Sequence, residues 1–208
     1  MTLKLPRYLS RREQYCVAIS ALCAAGRRDE AISMASEGIQ KHRIPVSFFI
    51  ELYIHLSLFL GFPTMLEGLE FLRKYPRKYK KGNKISLQAG RKVFQRIYGE
   101  QTQSVLKSLT ALHPELVHWI LRDAYGKVFT RSGMSLKERE LSNVATLGVH
   151  GFVPQFFSHV KGAVRVGVSR RGVRESLDFI SAFARIDKNL SVRILGKVRK
   201  SSPRKPLR

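Results

Sequence analysis

Acidic residues are scarce in this chain of 208 residues: 15 Asp and Glu stand against 38 Lys and Arg, for a formal charge of +23 and a pI near 10.7. So large an imbalance makes contact with polyanions an expectation. Cysteine is scarcer still. Cys16 and Cys23 lie seven apart in a helix-like stretch, about 10.5 Å of helical rise, which excludes a disulfide between them unless that helix breaks. Both are expected to be small buried hydrophobes. Long apolar runs are lacking too. The longest uncharged stretch of the first half, Leu52 to Leu66, contains His55 and Pro63 and falls short of the roughly 18 apolar residues of a membrane helix, so no span is expected. The start, MTLKLPRYLSRREQY, has no apolar segment of the secretory kind, and a cytoplasmic location is expected. Alternating Val, Ile and Thr strands are all but missing, which argues against a β fold.

What is present is ordinary globular material, 44% hydrophobic and 10% aromatic, enough for a core and unlike a disordered chain. Apolar residues recur at three- and four-residue spacing almost throughout, so the fold class is all-α. Helices are expected near 10–25, 29–42, 46–60, 63–74, 86–97, 100–110, 113–130, 135–149, 152–167, 170–184 and 187–199. The punctuation agrees. Ser10 precedes Arg11-Arg12-Glu13, Ser135 with Glu138 forms a capping-box pattern, Pro45 precedes an apolar run, Pro114 sits at a helix start, and Gly61-Phe62-Pro63 separates two runs.

An internal repeat is the most informative pattern. LSRREQYCVAISALCAAG (9–26) aligns with MSLKERELSNVATLGVHG (134–151) at an offset of 125. GIQKHRIPVSFFIELYIHLSLFLGF (38–62) aligns with GAVRVGVSRRGVRESLDFISAFARI (162–186) at an offset of 124. A serine cap, an acidic residue, the apolar positions and a closing glycine fall in the same order. The expected organisation is a first repeat over 1–74, a basic bridge with lead-in helices over 75–133, a second repeat over 134–195, and a basic tail, expected to be disordered, over 196–208. The two repeats are expected to pack pseudo-symmetrically.

GMSLKERELSNVATLGVHGFVPQFFSHVKGAVRVGVSRRGVRESL resembles a segment of the carboxymuconolactone decarboxylase and alkylhydroperoxidase D-like (AhpD-like) superfamily. It has the Leu-Ser start, the Arg-Glu helix, a glycine, then His-x-x-x-Ala-x-x-x-Gly before a helix with an early Glu. IELYIHLSLFLGFPTMLEGL is similar to the family's Glu-x-x-x-His helix followed by Gly-aromatic-Pro, and RIYGEQTQSVLKSLTALHPELVHWILRDAYGKVFTR to its lead-in. The resemblance covers most of residues 9 to 195 and implies a tandem form. It further implies homo-oligomers, in which three two-repeat chains would imitate a hexamer of single repeats.

The resemblance offers two chemistries. The peroxidase branch needs a CxxC ahead of the histidine, because a thiolate must attack peroxide and a second thiol resolve it. Here those positions are Phe152 and Gln155, which disfavours that branch. The decarboxylase branch implies no metal and no cofactor, only acid/base groups around a small carboxylated lactone or related anion. Its glutamate and histidine fall on Glu140 and His159, nineteen residues apart, and His55 is a third candidate. On helices, Glu140 shares a stripe with Leu136, Val144 and Leu147, and His159 with Phe156, Ala163 and Val166. An acid and an imidazole kept side by side among apolar groups can relay a proton near neutral pH. The competing reading is structural: Glu140 pairs with Arg139, Lys137 or a neighbouring helix, and the two histidines are satisfied interface or core residues. The first repeat carries Tyr15 and Ala35 or Met34 where the second has Glu140 and His159. The counterpart of His55 is Phe179, so each chain retains at most one full constellation, completed only if the repeats share it.

Positive charge gathers in KYPRKYKKGNK (74–84), in RVGVSRRGVR (165–174) and in GKVRKSSPRKPLR (196–208). Lys74, Arg77, Lys78, Lys80, Lys81 and Lys84, interleaved with Tyr75 and Tyr79, suit a polyanion such as RNA, and tyrosines among cations can stack on bases. No zinc finger, RNP signature or GxxG clamp is present, so binding of this kind would be charge-driven. Arg165, Arg170 and Arg171 follow the His159 helix and could draw a carboxylated substrate toward it. The two functions expected are therefore a cofactor-free acid/base enzyme and a catalytically inactive scaffold that binds nucleic acid.

Overall fold

A computed structural model describes residues 4–76, 84–183 and 196. All the regular elements among them are helical: α1 Arg11–Ala24, α2 Arg28–Gln40, α3 Val46–Phe71, α4 Leu87–Tyr98, α5 Thr102–Leu112, the short α6 Leu116–Trp119 running into a π-helical segment Ile120–Phe129, α7 Leu136–His150, α8 Val153–Arg165 and α9 Arg170–Ile180. The all-α class is as the periodicity predicts.

Helix starts follow the capping chemistry. Ser10 accepts from the Glu13 amide while the Glu13 carboxylate accepts from the Ser10 amide; Ser135 and Glu138 repeat the arrangement at α7. Each box satisfies amides that a helix start leaves unpaired. The turns after α1 and α7 pass through Gly26 and Gly151 at φ +72° and +74°, a left-handed conformation that side-chain-bearing residues resist. These two matched helices pack directly on each other along their buried faces.

Helix α3 is broken at Gly61, whose backbone leaves helical space just before Pro63, matching the corner expected at Gly61-Phe62-Pro63. The stretch Val46–Lys74 is long and apolar enough to cross a membrane by composition. Its first half, however, buries Phe48, Phe49, Leu52, Tyr53 and Leu56 in the protein core, and Glu51 and His55 on it are buried in polar contacts with other elements.

Three apolar clusters hold the helices together. One joins α1, α7, α8 and α9 around Val17, Leu141, Val144, Phe156 and Val160. A second fills the space between α1, α2 and α3 around Ile19, Phe49, Leu52 and Leu56. A third lies under α4 and the π-helical segment around Phe94, Ile97 and Tyr125. Burial of these side chains, each worth about 1.5–3 kcal/mol, sets the fold.

Three expected boundaries need correction, and the helix expected over 170–184 is one of them: it ends at Ile180 and gives way to a turn over 181–183. The single helix expected over 113–130 is divided into a turn at His113–Glu115, the four-residue α6 and the π-helical segment, a wider helix whose altered hydrogen bonding no apolar periodicity announces. The helix expected over 100–110 begins with a 3-10 turn and ends at Leu112. The helix expected over 187–199 lies outside the described residues apart from Gly196, as does most of the basic tail.

Candidate active site

Helix α7 supplies the centre of the site. Its capping box fixes where the helix begins and hence which way each later side chain faces; Arg139, Glu140 and Asn143 are all fully buried. Asn143 is one turn beyond Glu140, on the same face. Helix α8 carries His159 against them, and helix α3 brings Glu51 and, one turn later, His55 from the first half of the chain.

The side chains touch in sequence. His159 Nδ1 lies 3.0 Å from Glu140 Oε2 and 3.2 Å from Oε1. Asn143 Nδ2 donates to Glu140 Oε1 at 3.0 Å and stands 3.1 Å from His159 Nδ1. Asn143 Oδ1 meets His55 Nε2 at 2.8 Å, and His55 Nδ1 meets Arg139 Nη1 at 3.3 Å. Arg139 Nη2 donates to the Arg131 carbonyl at 2.9 Å and stands 3.8 Å from Glu51 Oε2. The Glu51 carboxylate in turn takes a two-bond contact from Arg131 at 2.7 and 2.8 Å.

The direction of this chain comes from donor inventory. A guanidinium only donates, so His55 Nδ1 accepts and its proton sits on Nε2. That Nε2–H donates to Asn143 Oδ1, which turns the Asn143 amide nitrogen toward Glu140. The Glu140 carboxylate accepts there and also takes the proton on His159 Nδ1. Every bond from Arg139 onward therefore points at Glu140. Burial and the neighbouring Arg139 charge push the His55 imidazolium down to about pKa 3, with only partial relief from its bond to Asn143, so His55 is neutral at physiological pH. Burial also lowers Arg139 to about 10, against the pull of Glu51.

His159 is the member that meets the outside: it is 6% exposed where Glu140, Asn143 and His55 are at zero. Its ring lies edge-on to Phe59 and Tyr98, at centroid distances of 6.5 and 6.1 Å. Phe59 also flanks His55, and Phe129 stands edge-on to the same ring at 5.0 Å. Helix α8 comes this close to Glu140 because Gly162 faces the carboxylate; a Cβ there would overlap Glu140 Oε2.

The sequence-predicted residues divide cleanly. Glu140, His159 and His55 are brought together. Arg165, exposed at the end of α8, donates to the Ile97 carbonyl, beside the Tyr98 that flanks His159. Arg171 lies over the Tyr8 ring, 3.4 Å from its centroid, and Arg170 opens α9 next to it, while the hydrogen-bond donor to the Glu140–His159 pair is Asn143. Lys74 stands over the Phe71 and Tyr75 rings and Lys84 is exposed, whereas Arg77, Lys78, Lys80 and Lys81 lie outside the described residues. Of the structural alternatives for Glu140, pairing with Arg139 is not what the side chains do: Arg139 turns to His55, Glu51 and the Arg131 carbonyl.

Sequence reasoning missed Asn143, Arg139, Glu51 and Arg131. Asn143 had a readable signal, an amide one helical turn from Glu140 on a face of leucines and valines. Glu51 lay inside the Glu-x-x-x-His pattern without a role. Arg131 had none, since its place depends on the loop between the π-helical segment and α7.

The thiols do not serve this site. Burial drives Cys16 well above its usual range and Cys23 to about 12. Among the described residues, no group of three His, Cys, Asp or Glu is placed to hold a metal ion. No family model matches the chain. Over 170 residues, 76% of the chain and 79% of the relative, it is 27% identical to Peroxisomal protein 2 of Schizosaccharomyces pombe (strain 972 / ATCC 24843).

Proposed function

We propose that this chain is a tandem carboxymuconolactone decarboxylase-like (AhpD-like) protein whose Glu140–His159 pair performs cofactor-free acid/base chemistry on a small carboxylated lactone or related anion. The observation that carries this reading is the contact of His159 Nδ1 with both oxygens of a fully buried Glu140. A carboxylate on Nδ1 fixes the ring's tautomer and orientation and compensates its charge when both nitrogens are protonated, leaving Nε2 to exchange a proton with substrate. In a decarboxylation, the carbon–carbon bond to the carboxylate breaks, carbon dioxide leaves, the electron pair spreads into the lactone as a dienolate, and the Nε2 proton is delivered to carbon. His159 is the catalytic residue in this scheme; Glu140, Asn143 and His55 position it. Arg165, exposed at the end of the helix that carries His159, supports the choice of an anion. Matched capping boxes and matched glycine turns in α1 and α7 support the tandem reading, in which His55 from one repeat completes the site of the other.

The test is carbon dioxide release from a γ-carboxylated butenolide. Glu140→Gln and His159→Ala should each lower turnover by about 10²–10⁴-fold with the helical circular dichroism spectrum unchanged; equal rates in all three proteins would dispose of the assignment.

A second reading, a catalytically inactive scaffold that binds RNA or another polyanion, is favoured by the +23 charge and by the depth at which Glu140 is buried. It predicts absorbance at 260 nm in the purified protein, and retention on heparin to high salt that weakens when 196–208 is removed. The likeness to Peroxisomal protein 2 supports a peroxisomal location as the alternative to a cytoplasmic one, decided by imaging a tagged chain against a peroxisomal marker. Sedimentation velocity tests the expected homotrimer.

A further inference from the structure

A cavity of about 270 Å³ opens between the end of α1, the start of α2 and both halves of the broken α3. None of its lining residues belongs to the polar chain around Glu140. Its walls include Cys23, Ile32 and the backbone of Gly68, which lies flat against the Tyr53 ring because a Cβ there would overlap it. At the rim Arg28 and Glu67 form an ion pair at 2.9 Å, both about half exposed.

One buried polar group in this wall has no partner. Tyr53 is 2% exposed and its hydroxyl makes no hydrogen bond among the described residues. A buried hydroxyl without a partner is destabilising, and native folds rarely keep one without a use. Burial first, and then the nearby Cys23 and Glu67, push the phenol well up. It therefore remains O–H, a donor in search of an acceptor.

The volume lies between the ~150 Å³ that holds benzene and the ~300–1,000 Å³ of drug-sized pockets, which suits roughly 7–12 non-hydrogen atoms. The rim charges of Arg28 and Glu67 cancel each other, so the entrance favours no ion of either sign. We infer that this cavity binds a small, uncharged, largely apolar molecule carrying one acceptor oxygen, such as a ketone, ester or lactone, with Tyr53 donating to that oxygen. The inference is independent of the acid/base chemistry proposed for Glu140 and His159.

The experiment uses the full chain labelled at the isoleucine δ-methyl groups, titrated with acetophenone and, separately, with ethylbenzene, which has the same shape without the carbonyl. Acetophenone should shift the Ile32 methyl saturably and bind about tenfold more tightly than ethylbenzene, the worth of one otherwise unmade hydrogen bond. Tyr53→Phe should erase that preference while leaving the melting temperature unchanged or raised, since it deletes an unsatisfied group. Cys23→Phe, which fills the space, should abolish binding of both probes. Equal affinity of the two probes for the native protein, no saturable shift with either, or a preference that persists in Tyr53→Phe would each overturn the inference.

Discussion

Gly162 of α8 lies against the carboxylate of Glu140 on α7, so close that the helix has no room for a side chain there. Ile97 closes the same spot from α4, its Cγ2 2.9 Å from where a Cβ would stand. A methyl at this position must displace either the carboxylate or the helix. Gly162→Ala is therefore expected to destabilise the protein by about 1–3 kcal/mol despite the better helix propensity of alanine. Urea denaturation checks it; an alanine variant as stable as the native chain would show that α8 and Glu140 are not in contact.

Asn143 links the two halves of the polar chain, touching His55 on one side and the Glu140–His159 pair on the other. In Asn143→Leu, His55 Nε2–H loses its acceptor and Glu140 loses a donor, for about 1–3 kcal/mol per orphaned group. Asn143→Asp keeps the shape but sets a second carboxylate beside the first. Its deficit at pH 7 should shrink as the pH is lowered and one carboxyl takes a proton, whereas that of Asn143→Leu should not. Stability curves of the two variants at pH 7 and pH 4.5 make the comparison.

Much of this arrangement was readable from the sequence, for identifiable reasons. The helices at 11–24 and 136–150 were visible because serine caps, glycine stops and apolar spacing agreed, each fixing what the others left loose, and the helix at 153–165, which has no serine cap, through its apolar spacing. Glu140 and His159 were found through spacing in a resemblance, and His55 as a polar residue on an apolar helix. What stayed hidden depends on contacts distant in sequence. That Asn143 joins a residue 88 positions away is set by how α3 and α7 cross, and that Arg131 neutralises Glu51 from 80 away by the loop before α7; periodicity encodes neither. The π-helical segment was missed because its sequence satisfies an α-helical pattern equally well.

His55 makes stability depend on acid in a defined sense. Its folded value near 3 lies below the ~6.5 of an unfolded histidine. Above about pH 6.5 both states hold it neutral and it adds no slope. Between pH 6.5 and 3 only the unfolded state takes the proton, so stability falls with pH by up to about 1.4 kcal/mol per unit from this group alone. His55→Gln should remove one proton's worth of that slope. Parallel slopes for the variant and the native protein between pH 4 and 6 would refute the assignment.

Glu51 neutralises two arginines of different exposure. Arg139 is wholly buried, while the Arg131 side chain is 22% exposed. Glu51→Gln leaves the Arg139 charge buried without a counter-charge and should cost about 3–5 kcal/mol. Arg131→Gln keeps the Glu51–Arg139 pairing and should cost distinctly less. Thermal denaturation of the two variants at pH 7 tests the order; a reversal would mean that Glu51 serves Arg131 alone.

A directed hydrogen-bond chain, begun by Arg139 and running through His55 and Asn143, ends on Glu140 where His159 meets it. Long-range ¹⁵N–¹H correlation of the histidine rings reads this directly at pH 7. The expected spectrum has a neutral His55 with its proton on Nε2 and a bare Nδ1, and a His159 with a protonated Nδ1. A His55 carrying its proton on Nδ1, or a His159 whose Nδ1 is bare, would contradict it.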